Sequence, residues 1–366
     1  MAIPGTGYRT VCDVLCEISY HLLEEIVQAV CTSFAPGPVI TVSNQTAMYN
    51  GAQVVVGWGL STAEVVTITS VNSGGTINTS ALVNSHNPGE TILGPTFPYE
   101  ETTDPFWNQT QMLEWISRAN NELLSQVPVA YALFYQNLTY GTIFQNTPSN
   151  CIEINRVAAS TYYCALTSLT RTGNEVTAVT QSPHGLSKNS TLFIQNATAG
   201  FGGVFQVDTI ISPTSFSYPQ VAANGSATGG AVLYFSRIYE TTSAEITMTD
   251  RTWRNEFVPT PTAWFEDRSG LYRWGVDGRP SSNYPVELLC SIRDSDTLAL
   301  LDGFLVPDTL VYLIKYKVLA YALGSENEQS DPARATYCEQ RFQRGVAAIR
   351  RYLDGYSLNP QGQSNG

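Results

Sequence analysis

Charge is the first thing this sequence is short of. Charged residues make up 14% of the chain, against roughly 25% in an ordinary soluble domain. Asn, Gln, Ser, Thr and Gly fill the gap. Such residues cost less to desolvate than ions do, so the balance suits a surface that neighbours cover, and equally a Ser/Thr-rich β protein that works alone. Positive charge is scarcer than negative: 19 Lys and Arg against 31 Asp and Glu leave a net charge of −12. A protein that coats DNA would carry the opposite sign, because phosphate neutralisation dominates nucleic-acid affinity. An acidic wall past which DNA moves without sticking is compatible with this charge, and so, equally, is no DNA at all. Three histidines leave little room for acid–base or nucleophile–base chemistry. No apolar run reaches the roughly 18 residues of a membrane-spanning helix. The start, Met1 to Thr10, has neither the basic nor the apolar region of a signal peptide. The seven cysteines are odd in number and scattered. They read as free thiols of a chain that matures in a reducing cytoplasm.

Motifs that carry chemistry are also missing. There is no Walker A loop and no Gly-x-Ser-x-Gly elbow. Gly57-Trp58-Gly59 lacks the third glycine of a dinucleotide fingerprint and sits among strand-like residues. Cys12 and Cys16 share a helix face, but His21 falls about 180° away at about 100° per residue, so the three cannot meet at one metal. His86 and His184 read as structural. The acidic pairs Glu24-Glu25, Glu100-Glu101 and Glu266-Asp267 are sequence neighbours, which point apart on a helix or strand. The expectation is a non-enzyme with no metal and no cofactor.

What is present is a set of periodic segments. Residues 9–33 carry a helical stripe of Leu15, Ile18, Leu22, Ile26, Ala29 and Val30. Residues 39–94 change to β-branched, alternating text with turns at Asn50-Gly51 and Gly74-Gly75. A helix over 105–127, capped by Asp104-Pro105, puts Trp107, Met112, Ile116, Ala119 and Leu123 on one side. Strand-like text follows from Ala130 to Val157, and residues 171–233 form a Gly-rich β segment. The chain closes with an apolar helix over 310–323 and a second over 331–353. The second is opened by Ser330-Asp331-Pro332 and stopped at Gly355. Its stripe of Cys338, Phe342, Val346, Ile349 and Leu353 makes Phe342, Ile349 and Leu353 candidate helical core. Arg334 and Arg341 lie on one line of that helix, Arg344 and Arg351 on a second. They are candidates for ion pairing with an acidic neighbouring subunit, or for ordinary charge that complements the helix dipole. The tail 357–366 is Ser, Leu, Asn, Pro, Gln and Gly, too poor in apolar residues to order without a partner.

The pattern predicts an α+β fold: a helical-bundle core with a β-rich segment and two inserted small β-barrel or β-hairpin modules. The segments are a core helix at 1–35, an inserted β module at 36–100 and core helix and strands at 101–170. An inserted Gly-rich barrel follows at 171–233, then core strands and the helical hairpin at 234–356, and a docking tail at 357–366.

Several weak motifs in order resemble one family. Asp250-Arg251-Thr252-Trp253, Pro261-Thr262-Ala263-Trp264-Phe265-Glu266-Asp267-Arg268 and Tyr284-Pro285-Val286-Glu287-Leu288 come first. Asp331-Pro332-Ala333-Arg334-Ala335 and Tyr337-Cys338-Glu339-Gln340-Arg341-Phe342 with Gly345 follow. Together they look like the head-to-tail adaptor, or neck, proteins of tailed bacteriophages. Residues 171–233 resemble the small Gly-rich barrel of the first catalytic cysteine half-domain of ubiquitin-activating enzymes, a module that recurs in phage virion proteins. Residues 85–91 resemble the close of hairpin modules in such proteins. The adaptor resemblance implies a homo-oligomeric ring, a dodecamer, in the virion neck. It would be assembled in the bacterial host cytoplasm between the portal protein and a tail-terminator or nozzle protein. Double-stranded DNA would pass through it without sequence-specific contact, and no membrane is involved. It implies portal docking by the C-terminal segment, here Tyr356, Leu358, Asn359 and Pro360. The alternative is a receptor- or carbohydrate-binding virion protein whose aromatic-rich β modules form the binding surface.

Overall fold

The computed structural model describes residues 9–22, 26–35, 37–95, 107–195, 200–267, 273–325 and 330–357. The chain divides into two compact units. One is Met1–Ala130 with Ile292–Gly366, and the other is Tyr131–Ser291.

The first unit opens with helix α1 (Val11–His21). Thr10 caps it in a reciprocal box with Asp13, which satisfies two of the backbone donors left free at a helix start. Six strands follow: β1 (Ile26–Ala35), β2 (Val39–Val42), β3 (Gln53–Val56), β4 (Glu64–Asn72), β5 (Thr76–Thr79) and β6 (Thr91–Pro95). They close into a barrel in the order β1-β2-β5-β4-β3-β6. β1 serves both ends of the closure, pairing β6 through Ile26–Val30 and β2 through Cys31–Ala35. Val27, Cys31, Ile40, Val54, Val56, Ile68, Ile77 and Ile92 fill its interior.

The helix expected over 9–33 therefore stops at His21, and the 1–35 core helix is corrected to a helix followed by a barrel strand. Ile26, Ala29 and Val30 fit a helical stripe, but Val27, Ala29 and Cys31 are the residues that become buried, at a spacing of two. The β-branched residues of this stretch favour a strand, and the barrel supplies the partners. Helix α2 (Gln109–Gln126) then begins at an Asn108 cap, whose side chain accepts from the Gln111 N–H. The expected cap at Asp104-Pro105 lies outside the described residues.

The second unit begins with β7 (Tyr131–Leu138), β8 (Phe144–Asn146) and the 22-residue β9 (Cys151–Thr172). It continues through β10 (Glu175–Thr180), β11 (Thr191–Gln195), β12 (Gly203–Gln206), β13 (Thr209–Ser212), β14 (Ser215–Pro219), β15 (Gly225–Thr228) and β16 (Ala231–Glu240). A short helix α3 (Ser243–Thr249) precedes β17 (Phe257–Val258), β18 (Ala263–Glu266), β19 (Arg273–Val276), β20 (Arg279–Pro280) and β21 (Tyr284–Ile292). β9 organises this unit. It pairs β21, its middle pairs β16, and its end pairs β10 and β15. Leu166 and Leu169 of β9 and Val232 of β16 belong to the same buried cluster as Val176, Leu192, Phe216 and Tyr218. The Gly-rich segment thus supplies most of this cluster and completes it with Leu166 and Leu169 of β9; β9 and β16 then run on into the rest of the sheet.

Returning to the first unit, α4 (Val311–Gly324) and α5 (Pro332–Ser357) form the closing helical hairpin. Asp331 caps α5 by accepting from the Arg334 N–H. α5 runs through Gly355, so the expected stop there is corrected. α1, α2, α4 and α5 share one buried cluster that includes Leu15, Ile116, Leu313, Val318 and Phe342. The α+β expectation of a helical-bundle core is overturned all the same: 40% of the chain is strand and 24% helix, with large antiparallel sheets. The error lies in rank: the strand-like segments at 39–94, 130–157 and 171–233, taken as additions to a helical core, hold much of the strand that outweighs helix, and β9 alone runs 22 residues.

Candidate functional site

The outer face of the α4–α5 hairpin is the first candidate. The inner stripe of α5 is taken up by the core, with Phe342 fully buried and Ile349 and Leu353 packed against it. What α5 turns outward is cationic and aromatic. Arg334, Arg341, Arg344 and Arg351 are all exposed. The Arg341 guanidinium stands 5.4 Å from the centroid of the Tyr316 ring and 6.0 Å from that of Tyr337, within reach of a cation–π attraction. Tyr312 meets Tyr316 edge-on at 6.3 Å, and Lys315 lies 5.6 Å from the same ring. Lys315 also bonds Glu17, which pairs with Arg9.

The four arginines do not play one role. Arg334 donates to the His21 carbonyl at 3.0 Å, at the end of α1. Arg350, which the sequence reading left out of the set, donates to the Gln126 carbonyl at 2.9 Å, at the end of α2. Both place a cation where helix carbonyls lack partners. Arg341, Arg344 and Arg351 remain on the open face. Tyr356 falls within α5, and its side chain lies outside the described residues, as do Leu358, Asn359 and Pro360.

Behind this face Lys317 is held in the core, with 8% of its side chain exposed. It lies 2.8 Å from Glu122 and 3.0 Å from Glu339. The Phe342 and Tyr321 rings lie 5.0 and 5.2 Å from its ammonium, and the Tyr321 hydroxyl donates to Glu122 at 2.7 Å. Burial, and then that hydrogen bond, push the Tyr321 phenol up. This cluster locks α2, α4 and α5 together.

The histidines take structural places. His86 is clamped in the barrel between Glu90 at 2.6 Å on Nδ1 and Glu64 at 2.7 Å on Nε2. Gly57, at φ +71, leaves the space that His86 and Glu90 occupy. Gly57-Trp58-Gly59 leads into strand β4 and not into a helix, which excludes the dinucleotide turn. His184 donates from Nε2 to the Ser212 carbonyl and accepts the Leu186 N–H on Nδ1. Cys12 and Cys16 are buried. Among the described residues no group of three or more His, Cys, Asp or Glu could hold a metal ion, and no helix is long and apolar enough to cross a membrane.

The second candidate was not visible in the sequence. In the second unit a cleft of about 320 Å³ is lined by Leu133, Tyr135, Phe193, Tyr234 and Phe235, with Arg156 and Glu287. Strands β7, β21, β9, β16, β11 and β12 pair in that order. Even so, Tyr135 of β7 stacks on Phe193 of β11 at 4.3 Å between ring centroids. The sheet is thus curled until strands separated by three others meet across its open seam. Glu287 sits opposite Tyr135 in the β21–β7 ladder and accepts its hydroxyl at 2.9 Å. The other carboxylate oxygen takes Arg156 Nη2 at 2.6 Å. Burial first, then the bond to Glu287, raise the Tyr135 phenol, and Arg156 opposes them. Arg156 Nε is buried and has no acceptor among the described residues.

No protein-family model matches this chain, and no curated protein matches it.

Proposed function

We propose that this protein is a structural head-to-tail adaptor of a tailed phage. In this reading it forms a dodecameric ring in the virion neck, joins the portal protein to a tail-terminator or nozzle protein, and leaves a channel for double-stranded DNA. The ordered series of motifs from Asp250 to Gly345 suggests the family. The observation that carries the reading is the outward face of α5. Arg341, Arg344 and Arg351 stand exposed, Arg341 against the Tyr316 and Tyr337 rings, on a chain whose net charge is −12. Arg and Tyr are the residues that most often anchor interfaces. A cationic strip on an acidic molecule is complementary to the rest of a second copy, and head-to-tail contacts of that kind close into rings. Portal docking is assigned to Tyr356, Leu358, Asn359 and Pro360.

The test is assembly on isolated portal, imaged by electron microscopy with symmetry analysis. The wild-type chain should form rings there. The double reversal Arg341→Glu with Arg344→Glu should leave a folded protein that forms none. A stable trimer in solution, indifferent to portal, would overturn the adaptor reading.

A further inference from the structure

The cleft of the second unit goes beyond the adaptor reading and stands independently of it. Its volume of about 320 Å³ is at the small end of ligand pockets, which span roughly 300–1,000 Å³. That is room for a small molecule and not for a helix or a folded partner. Two kinds of surface meet there. One is aromatic: Tyr135 and Phe193 are stacked, Phe235 lies 5.6 Å from Tyr135, and Tyr234 is 45% exposed. The other is the Arg156–Glu287 pair. The register of β16 against β9 shifts between Tyr234 and Phe235. Sequence neighbours on a strand face opposite ways, yet both of these line the cleft. The extra residue belongs to β9, since Tyr234 and Phe235 pair with Tyr162 and Ser160, and a bulge of this kind bends the pair of strands beside a site.

The chemistry narrows the ligand. Arg156 and Glu287 cancel in charge, so a ligand with net charge would meet one repulsive partner and lose water without compensation. A wholly apolar ligand would bury Arg156 Nε further without an acceptor, which is unfavourable. A ligand that suits both surfaces has an apolar face for the rings and neutral groups that both donate and accept. Hydroxyls do this: they can accept from Arg156 and donate to the carboxylate of Glu287.

We propose that this cleft binds an uncharged saccharide, with the C–H face of a pyranose ring against the aromatic wall and its hydroxyls on Arg156 and Glu287.

The experiment uses the full chain and a panel of glucose, galactose, rhamnose, N-acetylglucosamine, maltotriose and chitotriose. Glucosamine and N-acetylneuraminic acid serve as charged controls. Binding is read by ligand-observed saturation-transfer NMR and titration calorimetry. At least one neutral sugar should bind. Tyr234→Ala and Glu287→Gln should each weaken it roughly tenfold or more. Tyr239→Ala, an exposed aromatic of the same strand that does not line the cleft, should leave it unchanged. Tyr234 is exposed enough for its variant to stay folded even if the Glu287 variant does not. Absence of binding across the neutral panel overturns the proposal. So does preference for a charged control, or affinity untouched by Tyr234→Ala. None of these results bears on ring formation through α5, which is tested on portal.

Discussion

Phe342 has no exposed surface and sits where α5 meets α4, its ring 5.0 Å from the Lys317 ammonium. Phe342→Ala should cost about 3–5 kcal/mol, read as a lower midpoint in denaturant titration. Gly345 is a tighter constraint, because a Cβ there would overlap Leu313 Cδ2. Gly345→Ala gains roughly 1 kcal/mol of helix propensity and loses about 1–3 kcal/mol to overpacking. The expected outcome is a net loss of stability, which the same titration measures. Glu64 offers a test by pH. Burial alone would raise its pKa, but the Val83 N–H, His86 and the Asn84 N–H outweigh it and bring it below the ordinary 4.5. A carboxyl depressed in the folded state stabilises above its unfolded value and loses that contribution as pH falls through its folded value. The melting temperature of the wild type should therefore drop on acidification below about pH 4.5. Glu64→Gln should be less stable at neutral pH and show a shallower drop. Equal slopes would remove the clamp from the account.

At the scale of elements, β9 and β16 decide what can be cut. Removing 174–230 would take away β10 to β15 and strip Leu166, Leu169 and Val232 of their buried partners. The second unit should then lose its cooperative transition by calorimetry. The first unit, whose core contains none of these residues, should keep its own. The sequence made the closing helices legible because Cys338, Phe342, Val346, Ile349 and Leu353 keep a helical period without interruption. It hid β1, since Ile26, Ala29 and Val30 satisfy a helical stripe as well as a strand, and only the closed barrel decides between them. It also hid the cleft. Tyr135, Arg156 and Glu287 come from three strands far apart in the chain, and no local spacing announces a ladder that register alone brings together.

For the whole molecule, the scarcity of charge makes the few cations decisive. If rings form by setting the arginines of α5 against acidic neighbours, they should loosen as salt rises. Screening shortens to about 3 Å at 1 M, from about 10 Å at 0.1 M. Sedimentation of portal-bound rings across that range reads the effect, and indifference to salt would assign the contact to the tyrosines instead. Truncation after Gly355 should change monomer stability by less than about 0.5 kcal/mol yet abolish attachment to portal. Fully tailed particles from the truncated gene would move the docking surface onto the helices.

The long strand β9 also sets how the second unit bears load. At about 3.3 Å per residue, its 22 residues trace a contour of roughly 70 Å. Along that contour it is bonded in turn to β21, β16, β10 and β15. Tension along the strand would shear many of those bonds in parallel, so none could break ahead of the others. Tension across it would peel them one at a time. The unit should therefore be stiff along one axis and weak across it. If the chain sits between head and tail as proposed, the strand axis is the direction in which it best bears the pull.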